Sequence, residues 1–193
     1  MVITPVDEVE AINEILSAIG ATPVNVVDDS ISEYPDLDVT NARRILYSVS
    51  REVQARGWAF NTEEGVFLAP NADTGRVPYL PTYLKVLAKG YQFSKREGYF
   101  FDNLTREDVF PQGLVVTLVR LLNFESLPEA FKTYITARSA RLFQEKYMTS
   151  DELTEVLTRD ELEAYSHMID YELESGEYNI FSNTSIIQLT QRG

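Results

Sequence analysis

The spacing of apolar residues changes twice along this chain of 193 residues. Near both ends, apolar side chains recur every three or four residues, the period of an α-helix that buries one face. Between about residues 58 and 124, short apolar or alternating runs are separated by Pro, Gly, Asn and Asp, which is typical of strands joined by turns. Within this region, FSKREGYFF predicts a hairpin that turns near Glu97 and Gly98. The pattern therefore predicts an α+β protein, mainly α, in which a bundle of about four helices carries a small inserted β region.

Helical periodicity predicts helices at about residues 5–19, 38–56, 128–147 and 150–175. In the first helix, Thr4 is placed to cap the N-terminus and Pro5 to take the first helical position. Gly20 and Gly57 are expected to end the first and second helices, because glycine readily adopts the left-handed conformation found there. All of these elements are expected to belong to one domain.

The second predicted helix has two unlike faces. Its core face holds four apolar residues, Ala42, Leu46, Val49 and Val53. Its outer face is basic and holds Arg43, Arg44, Arg51 and Arg56. The first three of these arginines are candidate contacts with another subunit or a partner protein. In the third helix, the inward positions are Phe131, Ile135, Leu142 and Phe143.

The fourth predicted helix has two apolar stripes. The first holds Leu153, Val156, Leu157, Ala164, Met168 and Tyr171. The second holds Leu162, Tyr165, Ile169 and Leu173. One stripe suits the core of this chain, and the other either widens that core face or contacts another subunit. The sequence leaves both alternatives open.

Gly176 is expected to end the fourth helix and to begin an extended C-terminal arm over about residues 177–193. The arm is too apolar for a solvated tail, since it holds Tyr178, Ile180, Phe181, Ile186 and Ile187. Such a segment adds to a sheet edge or docks in a groove, on this chain or on another. These five residues are therefore further candidate contacts with a partner.

The stretch GWAFNTEEG, residues 57–65, lies where the helical pattern gives way to the strand pattern. We expect Trp58 and Phe60 to turn inward there, and Asn61 to cap or turn the chain. Together with Gly57, these residues are interpreted as a structural joint rather than as an active site.

Charge is unevenly distributed along the chain, whose net charge is −13. Residues 1–40 hold nine acidic and no basic residues, and residues 151–177 hold ten acidic residues and one arginine. Residues 41–150 hold 15 basic and 11 acidic residues. These segments are either the solvated faces of separate helices or surfaces through which copies attract each other head to tail.

The sequence indicates no catalytic, cofactor-binding or metal site. It contains no cysteine and a single histidine, His167, which excludes thiolate chemistry and imidazole clusters within one chain. Glu63 and Glu64 are adjacent in an apparently extended segment, so their side chains point to opposite faces and make a poor catalytic pair. No signal peptide or membrane span is recognised, so we expect a soluble protein that is made in the cytoplasm and does not insert into membranes.

Four segments follow one another between about residues 9 and 181: AINEILSAIGATPV, NARRILYSVSREVQARGWAFNTEEG, RLLNFESLPEAFKTYITARSARLFQEKY and YELESGEYNIF. Together they resemble the tail tubular protein A family of short-tailed double-stranded-DNA bacteriophages. The second segment is the most specific. It opens a helix with Asn-Ala-Arg-Arg and continues into Arg-Gly-Trp, an aromatic residue, asparagine and an acidic pair.

The resemblance implies a structural protein of the virion tail that requires no cofactor. Members of the family form a ring, typically of twelve copies, beneath the portal protein at the capsid vertex. The ring joins the portal to the tail nozzle, which is of the tail tubular protein B type, and presents sites for tail fibres. It closes the packaged head, and the genomic DNA passes through its lumen without specific binding.

Two other classes of function are kept as alternatives. An accessory tail hydrolase acting on host surface polysaccharide would require two carboxylates converging on one cleft, and the sequence locates no such pair. A DNA-binding regulator could use basic and aromatic residues such as those of KREGYFF, but the net charge of −13 opposes binding to phosphates at long range.

Overall fold

The computed structural model describes residues 6–25, 37–148 and 150–182, and it describes side chains as far as residue 175. The chain divides into two compact units. The helical unit falls within Met1–Val53 and Asn123–Gly193, and the β unit is Gln54–Leu122. The predicted fold class, α+β and mainly α with an inserted β region, is confirmed. Whether the two units act as one domain stays a prediction.

The described part of the helical unit contains four helices and one 3₁₀ turn, Phe124–Ser126. The helices are α1 (Glu8–Ser17), α2 (Leu37–Gln54), α3 (Glu129–Tyr147) and α4 (Asp151–Ser182). Helix α3 packs against both α1 and α4. The predicted core face of α2 is confirmed, since its four apolar residues are each at most 3% exposed. On α3, Phe131, Ile135 and Phe143 are fully buried as predicted, but Leu142 is only half-buried.

The N-terminus of α1 differs from the prediction. Asp7, not Thr4, is the N-cap, and its carboxylate accepts a hydrogen bond from the N–H of Glu10 at 2.7 Å. Two carboxylates from more than 100 residues later in the chain add to it, because Glu129 accepts from the N–H of Val6 and Glu125 from that of Glu8. Three carboxylates thus bind N–H groups in or just before the first turn of α1 and complement the positive end of its dipole. Only one of the three carboxylates, that of Asp7, lies near α1 in the sequence, so local sequence patterns could not predict the other two contacts.

The C-terminal end of α4 also differs from the prediction. The helix continues through Gly176 to Ser182, so the expected extended arm does not begin at residue 177. Glycine within a helix costs only about 1 kcal/mol relative to alanine. A single glycine is therefore a weak stop signal when no proline follows it. Residues 183–193 of the predicted arm lie outside the described residues.

The β unit contains five strands in two antiparallel sheets. They are β1 (Thr62–Leu68), β2 (Tyr83–Leu87), β3 (Phe93–Arg96), β4 (Tyr99–Asp102) and β5 (Leu114–Arg120). The order β1-β5-β2 forms one sheet, and β3 and β4 form the predicted hairpin. Glu97 and Gly98 turn that hairpin with φ of 51° and 85°. Positive φ at both central residues is characteristic of a tight hairpin turn whose twist suits the strands.

The core of the β unit is built largely from aromatic and branched side chains. Its buried members are Leu68, Val77, Tyr83, Phe100, Phe110, Leu114, Val116 and Leu118. Phe100 lies at the centre, with its ring centroid 4.7 Å from that of Tyr79 and 5.1 Å from that of Phe93. The alternating residues of β5 that face this core are buried, so the period-two pattern of the sequence is that of a half-buried strand.

Helix α4 packs on α3 through a narrow face. Ala164 and Met168 are the buried apolar residues among those of α4 whose side chains are described. The ring of Tyr165 lies 5.3 Å from that of Tyr134, and the ring of Tyr171 lies 6.2 Å from that of Phe131. The second predicted stripe is therefore divided, since Tyr165 packs on α3 whereas Leu162 and Leu173 are exposed.

Candidate interaction surfaces

Two buried amide side chains fasten together the points where the chain enters and leaves the β unit. Gln54 is fully buried, and its amide donates to the carbonyl of Leu122 at 3.1 Å and accepts from the N–H of Leu122 at 2.8 Å. Asn61 is 2% exposed, and its Nδ2 donates to the carbonyls of Gln54 and Arg120. We refer to Gln54 and Asn61 as the amide clamp. Because every one of these bonds is buried or partly buried, the clamp fixes entry and exit in one geometry.

The predicted joint residues lie around this clamp. Gly57 has φ of 85°, and a Cβ there would lie 3.0 Å from a methyl group of Val119, so a larger residue would be strained and crowded. The Oδ1 of Asn61 accepts from the N–H of Trp58 at 2.9 Å, a local contact of the kind expected of a residue that turns the chain. Trp58 and Phe60 are each half-buried rather than fully buried. The sequence located Asn61 and Gly57, but nothing in it distinguished Gln54 from an ordinary residue at the end of a helix.

The outer face of α2 presents two exposed arginines. Arg44 and Arg51 are seven residues apart, so they project from the same side about two turns apart. Neither forms an ion pair with any residue that the structure describes. Arg43, which was predicted to share this role, is instead held within the chain, with its Nε 2.8 Å from a carboxylate oxygen of Glu8. Its pKa is raised, first by a hydrogen bond with Tyr47 and also by the charge of Glu8.

A groove of about 390 Å³ is lined by residues of α2 and α3. It is lined by Ile45, Ser48, Val49, Glu52, Leu142, Glu145 and Lys146. Its two glutamates are each paired, since Glu52 lies 2.7 Å from Arg138 and Glu145 lies 2.6 Å from Arg141. The groove therefore presents ion pairs around an apolar floor, not a free acid and a free base of the kind that glycoside hydrolysis requires.

The outer face of α4 is acidic and partly apolar. Leu162 and Leu173 are 63% and 62% exposed, and Ile169 lies between them at the same helical angle. Exposed carboxylates flank this stripe at Glu155, Glu163, Asp170 and Glu174. These four form no ion pair with a described residue. Glu161, by contrast, faces inward and pairs with Arg141.

The three-stranded sheet has a second exposed apolar patch. Phe67 of β1 is directly opposite Val115 of β5, and they are 59% and 65% exposed. Leu87 of β2 is opposite Thr117, which places it on the same face of the sheet, and it is 52% exposed. Gly113 is required beneath this patch, because a Cβ there would lie 2.6 Å from the ring of Phe67.

The predicted contact residues near the C-terminus are only partly described. Tyr178, Ile180 and Phe181 belong to α4, but the structure describes only their backbone, because described side chains end at residue 175. Ile186 and Ile187 lie outside the described residues. Their role as partner contacts stays a prediction.

The carboxylate of Asp102 is buried in the β unit, where it accepts hydrogen bonds from the loop after β4 and from Gln92. Its Oδ1 accepts from the N–H groups of Gln92 and Leu104, and its Oδ2 accepts from both the hydroxyl and the N–H of Thr105. These bonds, that of Gln92 first, hold the pKa of Asp102 below its ordinary value. A carboxylate whose oxygens are occupied in this way organises the loop after β4 and is not available to a substrate.

The described residues provide neither a metal site nor a membrane span. Among residues 6–25, 37–148 and 150–182, no three His, Cys, Asp or Glu side chains are placed to hold a metal ion. No helix of this same part of the chain is both long and apolar enough to cross a membrane. His167, the single histidine, is exposed in the middle of α4.

Comparison with known proteins agrees with the resemblance read from the sequence segments. The model of the family described as "Tail tubular protein" matches residues 9–178, which include parts of both units. No curated protein matches the chain. Since the match covers most of the sequence, this chain belongs to the tail tubular protein family and is a structural component of the bacteriophage tail.

Proposed function

We propose that this protein is the adaptor of a short-tailed phage, a ring that joins the portal protein to the tail nozzle. In this role it closes the packaged head and forms part of the channel through which DNA leaves. The single observation that carries the proposal is the family match over residues 9–178. The ring, of about twelve copies by its resemblance to the family, contacts portal above, nozzle below and tail fibres at its side.

The charge of the described surfaces is compatible with this role. An adaptor must let DNA pass quickly, so its channel must not bind phosphates tightly. Carboxylates repel phosphates, and a net charge of −13 provides them in excess over basic residues. A ring also requires two different surfaces on every subunit, and the helical unit has a basic outer face on α2 and an acidic one on α4.

The test is to mix the purified protein with the portal protein of the same phage and to image the product by negative-stain electron microscopy. We expect a ring of this protein on one end of the portal, with light scattering giving the number of copies bound. Binding of nozzle protein should follow only after the adaptor has bound. A chain that folds normally but never binds portal would contradict the proposal.

The hydrolase alternative gains no support from the described residues, because both glutamates of the α2–α3 groove are held by arginines. A reducing-sugar assay on host surface polysaccharide, with the purified protein alone, checks this directly. We expect no release of sugar. Release that disappears in Glu52→Gln or Glu145→Gln would overturn the structural assignment.

A further inference from the structure

Helix α4 carries an apolar stripe that this chain does not cover. Leu162, Ile169 and Leu173 form a row whose first and last members are eleven positions apart, or about 16 Å along the helix. Two of the three are more than 60% exposed, although other residues of the same helix are fully buried against α3. A lone exposed leucine requires no explanation, but a row at helical spacing on a face rich in carboxylates is the pattern of a helix that packs on a second partner.

Helix α2 offers a surface of complementary charge and shape. The floor of the α2–α3 groove includes Ile45 and Leu142, both half-buried. Arg44 and Arg51 do not line the groove, but each directly precedes a lining residue of α2, Ile45 and Glu52. An apolar row from another helix would cover this floor. Carboxylates beside that row would then lie next to the arginines.

The spacings of the two charged rows are equal. Arg44 and Arg51 are seven residues apart on α2, and Glu163 and Asp170 are seven residues apart on α4. Seven residues make about two turns, or 10.5 Å, so both acid–base pairs can form at once between two helices packed side by side. This is true whether the helices run parallel or antiparallel. In either case Ser48 of α2 lies opposite residue 166 or 167 of α4.

We propose that the outer face of α4 packs in the α2–α3 groove of a second copy of this chain, head to tail. Leu162, Ile169 and Leu173 cover the apolar floor of the groove, while Glu163 and Asp170 pair with Arg44 and Arg51. The two surfaces are different, so each copy uses one toward each neighbour, and repetition produces a closed ring or an open filament. The assignment rests on the proposed function for its biological context, and it names the contacts by which the ring closes.

Charge exchange provides the first test. One variant carries Arg44→Glu and Arg51→Glu, and the other carries Glu163→Lys and Asp170→Lys. Each variant alone has two outer faces of like charge, so self-association in low salt should fall at least tenfold below that of the wild type. An equal mixture should recover association, because every junction of an alternating assembly then joins opposite charges. Sedimentation velocity measures all four samples.

Cysteine trapping provides a second test that also detects weak association, since the chain contains no cysteine of its own. One preparation carries Ser48→Cys and the other Ser166→Cys, and they are mixed and oxidised. We expect the mixed disulfide dimer to exceed both homodimers. The matched control replaces Ser48→Cys by Ser17→Cys, an exposed serine on α1, and should give no excess of mixed product.

The outcomes separate this interface from the proposed function. If the mixed disulfide does not exceed the control and the charge variants associate like the wild type, the interface is wrong, even if rings form on the portal. Occupation of the α2 face by another segment of the same chain gives that result. If trapping and charge exchange succeed but the wild type never binds portal, the interface stands and the adaptor function fails.

Discussion

The core of the β unit and the outer faces of the helical unit use their polar groups in opposite ways. In the β unit, the amide clamp and Asp102 are buried and hydrogen-bonded, and an aromatic cluster surrounds Phe100. In the helical unit, α2 and α4 display unpaired charges, and α4 exposes leucines. Buried, satisfied polar groups favour one rigid geometry, whereas exposed charges and apolar rows favour association. We therefore expect the buried groups of the β unit to contribute to its stability, and the outer faces of α2 and α4 to contribute to association.

The largest expected change in stability comes from truncating a buried apolar residue, and an exposed apolar residue provides the contrast. Phe100→Ala should lower the free energy of unfolding of the β unit by about 3–5 kcal/mol, because it opens a cavity in the core. Leu162→Ala should change the free energy of unfolding of the helical unit by less than about 0.5 kcal/mol, since most of this side chain is exposed. Denaturant melts can follow the units separately, as the only tryptophan, Trp58, belongs to the β unit and circular dichroism reports mainly helix. Equal losses would contradict the comparison.

The amide clamp should give the next largest effect. Asn61→Ala removes the partners of two carbonyl groups and of the N–H of Trp58. Leaving such groups unsatisfied costs about 2–3 kcal/mol in total. The fluorescence of Trp58 during urea unfolding measures the loss. Gln92→Ala, an exposed amide in the same unit, is the control and should cost less than about 0.5 kcal/mol.

Asp102 should make the β unit sensitive to acid. Its pKa is lowered in the folded state, so its contribution to stability is present above its ordinary value of 3.8 and is lost as the pH falls through the folded value. Asp102→Asn should therefore be less stable than the wild type near neutral pH, and this difference should shrink below about pH 3.8. Melts followed by Trp58 across this range test the prediction. A difference that is constant with pH would mean that the charge of Asp102 contributes nothing.

Glu14 should produce the smallest effect, with the opposite sign. Its pKa is raised, first by desolvation and then by the charges of Glu10 and Asp160. The stability it contributes is fully present below its ordinary value of 4.5 and is lost as the pH rises through the folded value. Glu14→Gln, which imitates the protonated form, should therefore raise the melting temperature slightly near neutral pH and not below about pH 4.5. Glu174→Gln, at an exposed carboxylate of α4 that forms no ion pair with a described residue, tests whether the gain is specific to position 14.

Local patterns were sufficient for most of the secondary structure. The periodicity of α2 located its core face, and the Glu97-Gly98 turn located the hairpin, because both depend on residues only a few positions apart. The prediction that α4 ends at Gly176 was wrong, because one glycine is a weak local signal within an otherwise helical sequence. The role of residues 57–61 as a joint stays a prediction, and Trp58 is half-buried there.

The sequence by itself determined the fold class, the family and the absence of cysteine chemistry, all of which follow from residue order and local spacing. Only the tertiary structure decided which groups are partners. It showed that Arg43 binds Glu8 while Arg44 remains exposed, and that Gln54 meets Leu122. It also showed that Leu162 points away from the core. Hydrogen bonds and burial between residues distant in sequence depend on how the elements pack, and two neighbouring arginines or leucines are indistinguishable until that packing is known.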